Sequence, residues 1–219
     1  MSDVSVRPTS PRDVDALLRL QERVYPTITP WRRDQLAHQL TTFPEGQLVA
    51  ELGGQIVGCA SALIIIWDQW SDEHTWKEIT ASGTFRTHNP NGLTLYGAEV
   101  FVDPVLRGKH IGHALYAGRR ALCQKLNLRR IIACGRLPGY HLLASEMSVE
   151  LYAKKVLWGD LTDPVLSFQL HEEFRYCGIM QDYLPEDDES CGQASLIVWI
   201  NPEYVPAMQT AAQLLAHLK

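Results

Sequence analysis

The sequence predicts an α+β fold, and three local signals carry that prediction. Leu48–Leu52, Gly53-Gly54 and Gln55–Trp67 read as a hairpin, because two glycines supply the positive φ angles that a two-residue turn demands. Tyr96 to His113 reads as a buried strand, a glycine-bearing turn and a helix start. Amphipathic spacing on either side of these segments, followed by late apolar strands, gives the order β-α-α-β-β-β-α-β-α-β-β.

Each element has its own local cause. Val4 to Arg7 is a short strand. Thr9-Ser10-Pro11-Arg12-Asp13 supplies a cap, a proline in the first turn and an acid near the helix dipole, ahead of Ala16, Leu17, Leu20 and Val24 at helical spacing. A second helix is expected from Pro30 to Leu40. After the hairpin, Leu93 to Val102 is the next strand. The helix after Gly112 carries Ala114, Leu115, Gly118, Ala121, Leu122 and Leu126 on one face, with Arg119, Arg120 and Lys125 mostly off it. Leu128 to Gly135 is an apolar strand, Leu137 to His141 a turn, and Ser148 to Val156 a polar helix. Asp163 to Glu172 offers a short helix, and Tyr176 to Met180 and Ala194 to Ile200 are closing strands around the acidic turn Pro185 to Glu189. Ala211, Leu214, Leu215 and Leu218 suggest an additional C-terminal helix at about 203–218.

At 219 residues, 46% hydrophobic and 21% charged, residues 1–219 are expected to form a single domain around one core, with an irregular insertion at 67–92. A formal charge of −5 argues against a general nucleic-acid grip and favours a cationic substrate. The longest apolar run, Ile56 to Trp67, is too short to span a bilayer, so no membrane partner is expected. Met1 to Ser5 lacks a basic and an apolar region, which predicts a cytoplasmic protein. Five scattered cysteines without C-x-x-C spacing read as reduced thiols, with no metal site.

The strand–turn–helix is the build of a phosphate cradle. A helix start leaves about four N–H groups without intrahelical acceptors and carries roughly half a positive charge. Arg107 and Lys109 add mobile positive charge. Neither P-loop spacing nor a dinucleotide fingerprint is present there.

The stretch resembles motif A of the GNAT superfamily of acetyl-CoA-dependent N-acetyltransferases, in which a strand ending in V-x-P precedes Q/R-x-x-G-x-G/A. Arg107, Ile111 and Gly112 fit the pattern. His110 stands in place of the first pattern glycine; at a helix start a histidine can hold negative φ and can bring its own ring to a phosphate. The resemblance implies the GNAT (acyl-CoA N-acyltransferase) fold: a mixed, mostly antiparallel sheet flanked by helices and splayed between the strand ending at Val102 and Leu128–Gly135. It also implies acetyl-CoA as cosubstrate, its phosphates against Arg107, Gly108, Lys109, His110, Ile111, Gly112 and His113. The pantetheine arm would pair with Phe101 and Val102, and a main-chain N–H near Phe101 would stabilise the oxyanion. Tyr96–Val100, Thr87–Pro90, Gly135–His141 and Asp163–Leu170 further resemble the acetyltransferase half of bacterial proteins that fuse a GNAT domain to a nitrilase-type carbon–nitrogen hydrolase. This chain is expected to be a free-standing relative of that half.

Such chemistry is direct attack of an amine on the thioester in a ternary complex. It needs a base, because an amine near pKa ~10 is mostly protonated at neutral pH. Glu99 is the first choice, two residues before Phe101 and therefore on its face of the strand; the other reading is an acid paired with Arg136. His141 and His88 are rival bases. Gln169 stands where the family often places a proton-donating tyrosine, with Tyr140 and Tyr152 as weak substitutes. Within the insertion, Trp67, Trp70, Trp76, Phe85 and His88 alternate with Asp68, Asp72, Glu73 and Glu78. This composition suits a lid, with Trp70, Trp76, His88 and Tyr140 binding an amine, or tryptophans that merely bury the loop. The expected activity is acetyl transfer to a primary amine of a small molecule or peptide. The alternative is a catalytically weak, CoA-binding regulatory module. Acceptor identity, acyl length and a homodimer stay open.

Overall fold

A computed structural model describes residues 4–25, 30–71 and 73–206. The strands are β1 (Ser5–Pro8), β2 (Gln47–Leu52), β3 (Gln55–Ile65), β4 (Thr94–Val102), β5 (Arg130–Arg136), β6 (Arg175–Met180) and β7 (Ala194–Ile200). The helices are α1 (Val14–Val24), α2 (Arg33–Thr42), the single turn α3 (Trp76–Ile79), α4 (Ile111–Lys125), α5 (Val149–Trp158) and α6 (Leu166–His171). The expected C-terminal helix falls mainly on residues 207–219, outside the described residues.

One seven-stranded sheet runs in the order β1-β2-β3-β4-β5-β7-β6. Gly53 and Gly54, at φ +59° and +78°, close the β2–β3 hairpin. Every neighbouring pair is antiparallel except β4–β5, which α4 bridges as the crossover that parallel strands require. That parallel pairing lasts only from Thr94↔Arg130 to Gly97↔Ala133. Beyond it β4 continues to Val102 and β5 to Arg136 without pairing each other, so the sheet forks. A bulge marks the same level: Ser61 faces Glu99 and Ala62 faces Gly97, which leaves Ala98 unpaired and adds local twist.

Apolar side chains cover both faces. On one, Val14, Leu17, Trp31 and Leu36 meet Val49, Cys59 and Phe101, while Ile79 and Phe85 meet Leu63, Ile65 and Tyr96. On the other, Ile111 and Leu115 cover Leu48 and Ala60, and Tyr116, Tyr152 and Leu166 cover Ile131 and Ala133.

One expectation changes. Arg119 is buried beneath β4 rather than lying off the packed face. The insertion is packed: Ile79 and Phe85 are fully buried, and Gln35 and Gln39 of α2 donate to the carbonyls of Ser82 and Gly83 at 2.7 and 2.8 Å. Asp72 lies outside the described residues. No helix among the described residues is long and apolar enough to cross a membrane.

Candidate active site

The fork exposes one edge of β4. Asp103 N–H donates to Val57 O at 2.9 Å, and Val102 and Phe101 stand opposite Gly58 and Cys59. Antiparallel alternation then turns the N–H of Phe101 toward β3 and those of Val100 and Val102 toward the fork. An oxyanion lodged in the fork would therefore meet the N–H of Val100 or Val102, not that of Phe101. Phe101 instead buries its ring, edge-on to Tyr25 and Trp31 at 6.1 and 6.2 Å.

Glu99 carries its carboxylate over this edge. Its Oε1 accepts the Val100 N–H at 3.0 Å and the Tyr25 hydroxyl at 2.9 Å. Burial pushes the Glu99 carboxyl up; those two donors and the guanidiniums of Arg136 and Arg119 oppose the rise without cancelling it. Arg136 is not the partner of Glu99. Its Nε donates to Asp187 at 2.6 Å, an Nη donates to Glu189 at 2.9 Å, and the guanidinium lies 5.7 Å from the Tyr25 ring centroid. Burial raises the Asp187 carboxyl, yet Arg136 and Ser190 hold it below its ordinary value.

Neither candidate histidine joins this network. His88 accepts the Ile64 N–H on Nδ1 at 3.0 Å and stacks on Phe43 at 4.6 Å, and burial lowers its pKa. That geometry commits its basic nitrogen to the main chain. His141 is exposed, with Nδ1 at 2.9 and 3.0 Å from the carbonyls of Pro138 and Glu189. Tyr140, expected to bind substrate, is buried, donates to Met147 O at 3.3 Å and packs on Tyr152. Tyr152 in turn donates to Asp163 at 2.9 Å. The Trp76 indole donates to Ala98 O at 3.0 Å, on the bulge. Trp70 lines a surface cleft of about 440 Å³ with Gln69, Glu73, His74 and Glu78.

The cradle before α4 has a different geometry from the one expected. His110 sits at φ +58°, in the left-handed region, not at negative φ. The loop keeps the backbone path that a pattern glycine would take. Gly108, at φ +79°, has open space where a Cβ would stand. Arg107, Lys109, His110 and His113 are exposed, and Ile111, Gly112 and His113 begin α4, where N–H groups lack intrahelical acceptors. The first turn therefore fits a pyrophosphate. Gly112 itself faces inward: a Cβ there would meet Phe168 Cζ at 3.0 Å. The His113 ring turns to Glu172, 2.9 Å away, which Arg120 also binds at 3.0 Å.

Gln169 closes the opposite face of the fork. It is 5% exposed and donates Nε2 to the Tyr116 hydroxyl at 3.2 Å, while its Oε1 has no partner among the described residues. That oxygen lies 2.2 Å from where a Cβ of Gly135 would be, so a side chain on β5 there would displace the Gln169 amide.

Sequence reasoning missed Tyr25, Asp187 and Arg119. Nothing local marks the first two. Arg119, however, follows Ile111 and Leu115 at intervals of four, which places all three on one helix face.

A model of the acetyltransferase (GNAT) family matches residues 14–144. The chain is 43% identical over 201 residues to the probable hydrolase YhcX of Bacillus subtilis, covering 92% of this chain but only 39% of that protein. It is 36% identical over 208 residues to the uncharacterized N-acetyltransferase YkwB of Bacillus subtilis, covering 93% of this chain and 92% of YkwB. Among solved structures, the GNAT-like decarboxylase GphF in complex with isobutyryl-CoA superposes with a TM-score of 0.77 at 26% identity, covering 90% of this chain and 99% of GphF. The forked sheet, the cradle at α4 and the family match over more than half of its length agree: this chain belongs to the acetyltransferase (GNAT) family.

Proposed function

We propose that this chain transfers an acetyl group from acetyl-CoA to a primary amine of a small molecule or peptide, with the thioester seated in the fork. The observation that carries this reading is Glu99, a carboxylate made more basic by burial and held beside a strand N–H that points into the fork. The α4 N–H groups, Arg107 and Lys109 would hold the pyrophosphate. The amine attacks the thioester carbon once Glu99 has taken a proton from its ammonium form. A carbon–nitrogen bond forms, the oxyanion rests on a fork N–H, the carbon–sulfur bond breaks, and CoA leaves as the thiol with the amine's second proton. One such N–H donor is worth about 10²–10³ in rate. Trp70, Glu73 and Glu78 offer the kind of aromatic and acidic wall that attracts ammonium groups, in keeping with the net charge of −5.

The test is thiol release from acetyl-CoA across a panel of amines. Glu99→Gln should lower turnover roughly 10²–10⁴-fold at neutral pH and recover part of it as pH rises and the amine deprotonates. Near-parental rates across that range would remove Glu99 from the chemistry.

The likeness to GphF favours a second reading: decarboxylation of an acyl-CoA bearing a carboxylate β to the thioester. There the carbon–carbon bond breaks, CO₂ leaves, and the electron pair passes to a thioester enolate held by the same fork N–H before protonation. Carbon dioxide released from malonyl-CoA without thiol would establish that reading. CoA binding with neither product would instead establish the regulatory module.

A further inference from the structure

Arg119 is a buried charge that the chemistry above does not use. It is 2% exposed, and its Nη2 donates to Ser61 O at 3.1 Å and Glu99 O at 2.6 Å. These carbonyls belong to the pair that precedes the β3–β4 bulge, where ladder bonds are interrupted. Nη1 lies 2.7 Å from where a Cβ of Gly97 would be, so the glycine makes room for it. The guanidinium also stands 5.6 Å from the Tyr116 ring centroid. Among the described residues no carboxylate is bound to it, in contrast to Arg136, which holds both Asp187 and Glu189. A buried cation without a counter-ion is costly, whereas an apolar residue at this place on α4 would pack on its neighbours without that cost.

We propose that Arg119 is a positioning residue for transfer: its clamp on the Ser61 and Glu99 carbonyls fixes the bulge that directs Val100 N–H and the Glu99 carboxylate into the fork. The proposal rests on the reading of the fork as the reaction site. The charge of Arg119 also favours the ionised form of Glu99. The other groups that act on Glu99 are Tyr25 from the end of α1, Cys59 from β3, Arg136 from β5, and Tyr183 from the β6–β7 connection, while Asp187 of the same connection acts on Tyr25. Arg136 is already matched by its two carboxylates, so Arg119 supplies the unmatched positive charge.

The test compares Arg119→Gln, Arg119→Lys and Gly97→Ala. The Glu99 titration is followed by NMR of carboxyl-labelled glutamate, assigned with Glu99→Gln, alongside kcat, KM and thermal melting. Arg119→Gln should move the Glu99 midpoint up and lower kcat about 10- to 100-fold, with KM for acetyl-CoA within about threefold. Arg119→Lys should leave the midpoint near its parental value. Gly97→Ala, which pushes the guanidinium off its carbonyls without removing it, should lower kcat in a folded protein and stands in if Arg119→Gln does not fold. An unmoved midpoint, or kcat loss that only follows a loss of folded protein, overturns the proposal. The titration needs no substrate, which separates the two ideas. A moved midpoint with a fully active Glu99→Gln removes Glu99 as the base of the proposed function and leaves the clamp; an unmoved midpoint with an inactive Glu99→Gln refutes the clamp alone.

Discussion

Replacing His110 by glycine should stabilise this protein, although it deletes a whole side chain. His110 precedes α4 at φ +58° and ψ +17°. A side chain in that region costs roughly 1–2 kcal/mol, with histidine among the residues that tolerate it best. Glycine removes that cost and returns part of it, roughly 0.5–1 kcal/mol, as extra freedom of the unfolded chain. The net expectation for His110→Gly is a gain of ~0.5–1 kcal/mol. Gly108→Ala is the opposite control. At φ +79° with nothing within 4 Å of a built Cβ, it should lose about 1 kcal/mol through backbone conformation alone. In urea melts both changes should move the midpoint and leave the slope unaltered. For a chain of this size, 1 kcal/mol corresponds to a melting shift of roughly 2–4 °C. Under the proposed seating of the phosphates on helix-start N–H groups, CoA should bind His110→Gly at least as tightly. Destabilisation by His110→Gly would refute the left-handed assignment, and a large loss of CoA affinity would show that the imidazole itself grips phosphate.

Three further outcomes follow from single contacts. Gly112→Ala should cost about 1 kcal/mol as its Cβ presses on Phe168, while calorimetry of the folded variant gives unchanged CoA affinity. Arg7 beside Asp13, 2.7 Å away, draws that carboxyl down to about 2. The stability it contributes is therefore present above about pH 4 and lost as pH falls toward 2, and Asp13→Asn should flatten that acid limb in urea melts. Partial exposure of Arg7 holds the neutral-pH cost to about 1–2 kcal/mol. Glu99 has the opposite sign: its raised pKa means the fold loses stability as pH rises through the folded value, so Glu99→Gln should gain stability at pH 8 relative to pH 4 while losing turnover.

What the sequence disclosed was whatever a short stretch of chain determines. Gly53-Gly54 sets its hairpin by backbone freedom, and Tyr96 to His113 sets strand, turn and helix start within one window. Glu99 was placed correctly beside Phe101 because both lie beyond the bulge at Ala98, where alternation is intact. The bulge itself, and the level at which β4 parts from β5, depend on strands and a helix that meet only in the fold. The Arg136–Asp187–Glu189 cluster joins residues about fifty positions apart, which no local pattern encodes. Residue type misleads at two positions: histidine ordinarily takes negative φ, whereas the loop holds His110 in the left-handed region; and Arg119 reads as a cation mostly off the packed helix face, against its four-residue spacing from Leu115. In the insertion, composition suits either a lid or tryptophans that bury the loop; Ile79 and Phe85 sink into the core, and Trp67, Trp70 and Trp76 pack half-buried against it.

The resting contact of Glu99 links substrate binding to basicity. Its Oε1 occupies the Val100 N–H, a donor turned toward the fork. A thioester carbonyl that takes this N–H removes a hydrogen bond from the ionised carboxylate, and the loss of such a bond raises the carboxyl pKa. Glu99 would then become a stronger base when the electrophile is seated, and stay weaker when the site holds CoA alone. The same NMR titration can read this without turnover. A ketone analogue of acetyl-CoA, with a methylene in place of sulfur, should move the Glu99 midpoint upward relative to the free protein by more than CoA does. Equal midpoints with CoA and with the ketone analogue would show that the carbonyl does not displace Glu99, and the oxyanion donor would then have to be the Val102 N–H.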